Sequence, residues 1–207
     1  MTALSPGLRY DHQIIAKLVS EGDRVLDVGC GEGDLMALLT QTRGAAARGL
    51  EISAEGVSAC MAKGLAVVQG DADHDLAVFP ADAFDAAILS KTLQEMRDPR
   101  GVLEALARVA PRLIISFRNY GFWRFRAHLL TKGRMPTKPG RPWFSAEAIH
   151  PCSVRDMADL VDDVGLKLER VIGVDNERDA SDEASVGQIN VRWPEAIMVA
   201  TRRADSV

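Results

Sequence analysis

The sequence predicts an α/β protein: a mostly parallel seven-stranded sheet with helices on both faces and an antiparallel terminal hairpin. Three observations carry this expectation. Short β-rich runs alternate with stretches of helical apolar spacing as far as residue 117. Those runs lack a period-two pattern, as strands covered on both faces do. The last two runs are separated only by a polar stretch, 175–194, and strands joined without a helix must pair antiparallel or leave the sheet.

The elements follow in order. HQIIAKLVSE (12–21) forms a helix ahead of the first strand, RVLDV (24–28). EGDLMALLT (32–40) is helical, and ARGLEI (47–52) is the second strand. SAEGVSACMAKG (53–64) is a helix that Ser53 can cap, and AVVQ (66–69) is the third strand. DAAIL (85–89) comes next, followed by a helix over DPRGVLEALARVA (98–110) that Asp98 can cap. RLIISF (112–117) is the fifth strand. The rhythm then breaks: residues 116–152 form a long excursion before a helix at SVRDMADLVDDVG (153–165). KLERVIGV (167–174) and EAIMVATRR (195–203) complete the sheet, and 175–194 reads as a long, mobile, polar hairpin loop. Five alternating units closed by such a hairpin are the layout of a class I methyltransferase (Rossmann-like) fold. At 207 residues the chain is expected to be a single domain.

Composition narrows the function classes. Apolar residues make up 47% and charged residues 26%, ordinary values for a soluble globular protein. No apolar run approaches the ~18 residues that span a bilayer, so no membrane association is expected. The opening MTALSPGLRYDHQ has no apolar core of a signal peptide. Cys30, Cys60 and Cys152 are scattered without a CxxC spacing, which reads as reduced thiols in a cytoplasmic protein with no metal site. A net charge of −4 argues against nucleic acid as a partner of the chain as a whole.

The chemistry is concentrated in RVLDVGCGEGDL (24–35), where the first strand carries Asp27 one residue before its end and three glycines alternate with Cys30 and Glu32. A glycine loop at the carboxyl end of the first strand is where open α/β sheets bind ligands. A dinucleotide would need G-x-G-x-x-G, yet Asp34 occupies the third position. Acids at Glu32 and Asp34 also oppose a pyrophosphate on the helix N-terminus. No GK[ST] follows, so a P-loop is excluded too. S-adenosyl-L-methionine fits this acidic rim better, because its sulfonium and ammonium outweigh its one carboxylate. Free amides of Gly29, Cys30 and Gly31 and of the helix start can take that carboxylate, while Asp27 faces the ammonium. Glu51 ends the second strand and can accept from both ribose hydroxyls, with Ile52 beside it. Asp71, followed by Ala72 in QGDAD, can accept from the adenine amino group. Ser90 and Gln94 are placed in the cofactor or substrate cleft. Taken singly, Glu51 is a solvated strand end and Asp71 a turn residue; the joint spacing carries the inference.

LSKTLQEMRDP (89–99), SFRNYGFWRFRAHLLTKGRMP (116–136) and IHPCSVRDM (149–157), with LDVGCGEGDL and GLEIS, resemble the methionine biosynthesis protein MetW family. The resemblance runs through most of residues 8–175. It implies a class I methyltransferase fold, S-adenosyl-L-methionine or S-adenosyl-L-homocysteine as cofactor, and homoserine O-acyltransferase as partner. The alternative is an independent methyltransferase acting on a small molecule.

The excursion 116–152 holds seven basic residues and one acid, Glu147, so it carries +6 against −10 for the rest of the chain. It also holds seven of the chain's eleven aromatics. Basic residues interleaved with aromatics suit an acidic partner surface, an anionic substrate or, least of the three, RNA; a lid whose aromatics pack on the sheet edge is the plain alternative. No catalytic residue is assigned. His150, close to Cys152, is the one base considered, and a structural histidine is the simpler reading of it.

Overall fold

Alternation along the strands sorts the core into two faces. In the computed structural model, which describes residues 9–135, 149–175, 178–181 and 184–203, β1 spans Arg24–Val28, β2 Ala46–Glu51 and β3 Ala66–Gln69. β4 spans Ala86–Ser90, β5 Arg112–Arg118, β6 Leu166–Asp175, β7 Arg178–Ser181 and β8 Glu195–Arg202. They form one sheet in the order β3-β2-β1-β4-β5-β8-β6-β7. The first five strands pair in parallel, and β8 inserts antiparallel between β5 and β6. The expected seven strands are all present. β7 is a short eighth strand, antiparallel to β6 at the edge.

Among the described residues, five helices of nine or more residues cover this sheet, α1 (Tyr10–Leu18), α2 (Asp34–Arg43), α3 (Ala54–Ala62), α5 (Pro99–Val109) and α7 (Val154–Asp163), while a sixth, α6 (Trp123–Lys132), buries none of its residues. Two shorter ones, α4 (Ala72–Asp75) and α8 (Val186–Arg192), lie in connections. Ser53 accepts from Gly56 N and Asp98 from Gly101 N, so both expected N-caps are made. Leu26 and Val28 of β1, Ala87 and Leu89 of β4, and Leu113 and Ile115 of β5 pack on the α5–α7 face. The intervening Val25, Ile88 and Ile114 pack with α1 and α2 on the other. Each buried aliphatic side chain contributes roughly 1.5–3 kcal/mol. The same alternation turns Asp27, Ser90 and Ser116, at the strand ends, toward the α1 side.

The polar stretch 175–194 is more ordered than expected, since it holds β7 and α8. Ser185 accepts from Gln188 N, and the Gln188 side chain accepts from Ser185 N. This capping box was present in the sequence as S-x-x-Q. Among the described residues, no helix is long and apolar enough to cross a membrane, and no group of three or more His, Cys, Asp or Glu is placed to hold a metal ion.

Candidate functional site: a cleft at the carboxyl ends of the parallel strands

The loop after β1 turns through three left-handed glycines, with φ of +70° at Gly29, +54° at Gly31 and +80° at Gly33. Such backbone favours residues without a Cβ. A Cβ on Gly29 would lie 2.3 Å from the Thr92 methyl, so this position is closed by packing. A Cβ on Gly31 would meet nothing within 4 Å. Its bare face opens into a cleft of about 560 Å3 lined by Gly29, Gly31, Glu51 and Ile52 on one side and by Arg9, Asp11, Ser90, Lys91, Thr92 and Glu95 on the other.

Glu51 is almost completely buried and braces the loop. Its Oε2 accepts from Gly31 N at 2.7 Å, and its Oε1 accepts from Ser53 N at 2.9 Å. A carboxylate has about four acceptor positions, so both bonds leave capacity for hydroxyl donors. Ile52 is 65% exposed beside it, an apolar side chain held at the cleft wall. Asp27 is 1% exposed, and its Oδ1 has no hydrogen-bond partner. Burial pushes its pKa up to about 7; nearby Arg9 pulls it down and Glu51 adds to the rise. A buried carboxylate oxygen without a donor keeps its acceptor capacity unused, although Asp27 lies behind the loop and is not among the residues lining the cleft.

The loop amides differ from expectation. Gly29 N and Cys30 N donate to Leu50 O, Gly31 N to Glu51 and Gly33 N to Cys30 O. Three of these bonds hold the loop on β2, and the fourth closes the turn within the loop. Neither Gly33 nor Asp34, at the start of α2, lines the cleft.

The remaining expected residues separate. Ser90 lines the cleft and accepts from Arg9 Nη2 at 3.2 Å. Cys30 is buried behind the loop with its Sγ 3.9 Å from that of Cys60, and burial pushes its pKa far up. Asp71 caps α4 by accepting from Asp73 N at 3.0 Å. It follows Gly70, whose N–H donates to Glu51 O, so Asp71 and the buried Ala72 lie one strand out from Glu51 and not among the residues lining the cleft. Gln94 is also absent from the cleft. Its side chain instead clamps Arg118, donating to the main-chain O and accepting from the main-chain N, both at 3.0 Å. His150 and Cys152 line a separate groove of about 420 Å3 between Gln94 and α7, which removes His150 from the cofactor cleft. Burial pushes the Cys152 thiol up to about 11, which makes it a poor nucleophile.

Sequence reasoning missed Arg9, Asp11 and Lys91. Asp11 is 2% exposed; Arg9 donates to it through Nε and Nη2, and Ser116 Oγ lies 3.4 Å away. Lys91 adopts φ +63°, an uncommon conformation for a residue with a side chain. Its Nζ sits 2.8 Å from Glu195 and 4.0 Å from Asp11. The only local trace of this cluster was R-x-D immediately before the first apolar helix positions.

The excursion after β5 is split. Phe117 and Phe122 are buried, but α6 buries none of its residues. Trp123 is 52% and Leu130 88% exposed, and the Arg124 guanidinium lies 5.5 Å from the Trp123 ring. Lys138, Arg141, Trp143, Phe144 and Glu147 lie outside the described residues.

Comparison with known proteins matches residues 9–199 to the methionine biosynthesis protein MetW family. The chain belongs to the MetW family. The bifunctional methionine biosynthesis protein MetXA/MetW of Rhodopirellula baltica is 30% identical over 176 residues, which cover 80% of this chain and 28% of that protein. A ubiquinone biosynthesis O-methyltransferase of Xanthomonas oryzae pv. oryzae is 35% identical over 112 residues, 52% of this chain and 46% of that one. This MetW-family chain thus spans less than half the length of both curated relatives. Its fold is similar to that of a SAM-dependent methyltransferase, a possible histamine N-methyltransferase, from Thermotoga maritima. That likeness has a TM-score of 0.70 at 16% identity and covers 93% of this chain and 87% of the other. The fold is that of the class I methyltransferases.

Proposed function

We propose that this chain binds S-adenosyl-L-methionine or S-adenosyl-L-homocysteine in the cleft between Gly31 and Lys91, and acts with or regulates homoserine O-acyltransferase in methionine biosynthesis. The residues present fit the cofactor. Gly31 offers a face a Cβ would fill, Asp27 Oδ1 is a buried acceptor without a donor, and Glu51 keeps acceptor capacity at the end of β2. When bound, S-adenosyl-L-methionine would supply a methyl group on a sulfonium. The chain's own residues hold, orient and neutralise it: Glu51 through the ribose, Asp27 through the ammonium, and Ile52 against the base. Ser90 lines the same cleft, whereas Asp71 and Ala72 stand one strand out from Glu51 and Cys30 supports the loop from behind.

The partner rests on one observation, the bifunctional relative whose name couples MetW to MetXA on one chain, of which this chain matches 28%. The unburied α6, carrying Trp123 and Leu130 among Arg124, Arg126 and Lys132, supports a surface for a protein with an acidic, partly apolar patch. The test is an acyltransferase assay and pull-down with homoserine O-acyltransferase, with and without this chain. Neither association nor any change in activity would remove the reading.

A second reading, an independent methyltransferase acting on a small molecule, is favoured by the O-methyltransferase relative, which matches 52% of this chain. Methyl transfer to a good nucleophile needs alignment more than acid–base help. The two readings divide on whether methyl groups leave the bound cofactor in the absence of the acyltransferase.

A further inference from the structure

Three sulfur-bearing side chains meet in a small core cluster behind the glycine loop. Cys30 comes from the loop, Met36 from the first turn of α2 and Cys60 from α3, and Ala47, Leu65 and Val67 pack around them. All three are buried, Met36 and Cys60 completely. The two thiol sulfurs lie 3.9 Å apart, and Cys60 Sγ donates to Gly31 O at 3.3 Å. Two glycines open the space that the sulfurs border. A Cβ on Gly49 would fall 2.4 Å from Cys30 Sγ and 3.1 Å from Met36 Sδ. One on Gly33 would fall 2.9 Å from Cys60 Sγ and 3.3 Å from Met36 Cε. No imidazole or carboxylate joins the two thiols, because no group of three or more His, Cys, Asp or Glu is placed to hold a metal ion among the described residues. The thioether of Met36 is the third donor.

We infer that Cys30, Cys60 and Met36 form a site for a soft monovalent metal ion such as Cu(I), directly behind the wall that Gly31 gives the cleft. Geometry separates this role from disulfide formation. At a metal–sulfur bond of about 2.3 Å, sulfurs 3.9 Å apart subtend roughly 116° at the ion, close to a trigonal angle. A disulfide would instead require the loop and α3 to approach by roughly 2 Å. Burial raises the pKa of both thiols, which leaves them protonated and slow toward oxidants. Coordination reverses this: the thiol proton passes to solvent as the metal–sulfur bond forms. Loss of one proton neutralises a monovalent ion within this apolar pocket, whereas a divalent ion needs both. Thiolate and thioether donors also select Cu(I), while zinc closes its structural sites with four Cys, His or carboxylate ligands. The site does not depend on the cofactor reading.

The test uses silver(I), a soft ion without redox chemistry under these conditions. It is titrated into the full chain in chloride-free buffer and followed by native mass spectrometry and by competition with a thiol chelator of known affinity. A Cys152→Ala background removes the remaining cysteine, which lies in the separate groove. One ion should bind per chain, and excess zinc(II) should not displace it. Cys60→Ala should weaken silver binding roughly a hundredfold or more, since loss of a ligand exceeds the effect of outer-shell changes. Met36→Leu should weaken it roughly tenfold, at conserved side-chain volume. Because that variant keeps the packing, it decides the case even where Cys60→Ala does not fold. Silver affinity unchanged by Met36→Leu would overturn the three-sulfur site. Absence of bound silver, or its displacement by zinc, would overturn it as well.

Discussion

Asp27 combines full burial, an oxygen without a donor and a pKa pushed up to about 7, where an ordinary aspartate lies at 3.8. An ammonium-bearing ligand selects the ionised form, so affinity for S-adenosyl-L-homocysteine should rise about tenfold between pH 6 and pH 8. Asp27→Asn should flatten that profile, which calorimetry at several pH values reads directly. Stability runs the other way. The folded chain holds the Asp27 proton through a window in which the unfolded chain has lost it, from about pH 4 to pH 7. Its contribution to stability is present below that window and is lost as pH rises through about 7. Asp27→Asn should therefore raise the melting temperature more at pH 8 than at pH 5. His12, buried and held down to about 4, acts in the opposite sense: its contribution is lost as pH falls from about 6.5 toward 4. Glu51 has two roles, because its oxygens already hold Gly31 N and Ser53 N. Glu51→Ala should lower nucleoside affinity at least tenfold and also lower the melting temperature, since the loop loses its brace. Loss of affinity without loss of stability would mean that the brace contributes nothing to folding.

The connection from β5 to α7 and α8 is held by two buried asparagines, Asn119 and Asn190; Asn190 Oδ1 accepts from Val154 N at 2.9 Å. Asn119 is fully buried; its Nδ2 donates to Asn190 O at 2.9 Å and Trp193 O at 2.7 Å. Its Oδ1 accepts from Gly121 N at 2.9 Å and Val154 N at 3.2 Å. It therefore joins the end of β5, the start of α7 and the end of α8, and sets where the excursion leaves the sheet. Asn119→Ala strands buried donors and carbonyls, each of which costs about 1–3 kcal/mol. Chemical denaturation should show a loss of about 3 kcal/mol or more, summed over those groups. A loss under about 1 kcal/mol would mean that water replaces the amide. Trp193 lies at the same junction, its ring so close to Gly173 of β6 that a Cβ there would fall 2.4 Å from it. The glycine makes room for the tryptophan, and neither was readable as a pair from a sequence separation of twenty residues.

Across the molecule, charge is divided between a basic excursion and an acidic remainder, and α6 presents the basic part without burying a residue. If α6 is the partner surface, Arg124→Glu with Arg134→Glu should slow association with the acyltransferase and change its salt dependence while sparing cofactor affinity. Arg126 is unsuitable for this test, because its Nε already donates to Gly121 O. Trp123→Ala should cost about 2 kcal/mol of binding or more if the ring is an anchor, and its half-exposed position predicts an unchanged melting temperature. Full support of the acyltransferase by both folded variants would reject α6 as the interface and favour the independent methyltransferase.

The sequence by itself determined the succession of strands along residues 24–117, the N-caps at Ser53 and Asp98, the glycine loop and the acid at the end of β2. These are local signals: apolar period, cap chemistry, and glycines at positive φ. It also carried the family, through motifs that keep their order along the chain. Only the tertiary structure decided how the site's charges are balanced. Whether a loop amide is free depends on a carboxylate twenty residues away on the next strand. Whether Arg9 belongs to the cleft depends on α1 crossing the ends of three strands. Likewise, His150 and Cys152 were adjacent to the excursion in sequence, but packing of Gln94 against Arg118 and α7 places them in a separate groove. Hydrogen-bond commitment and charge proximity arise between elements, so they become readable only once the elements have packed.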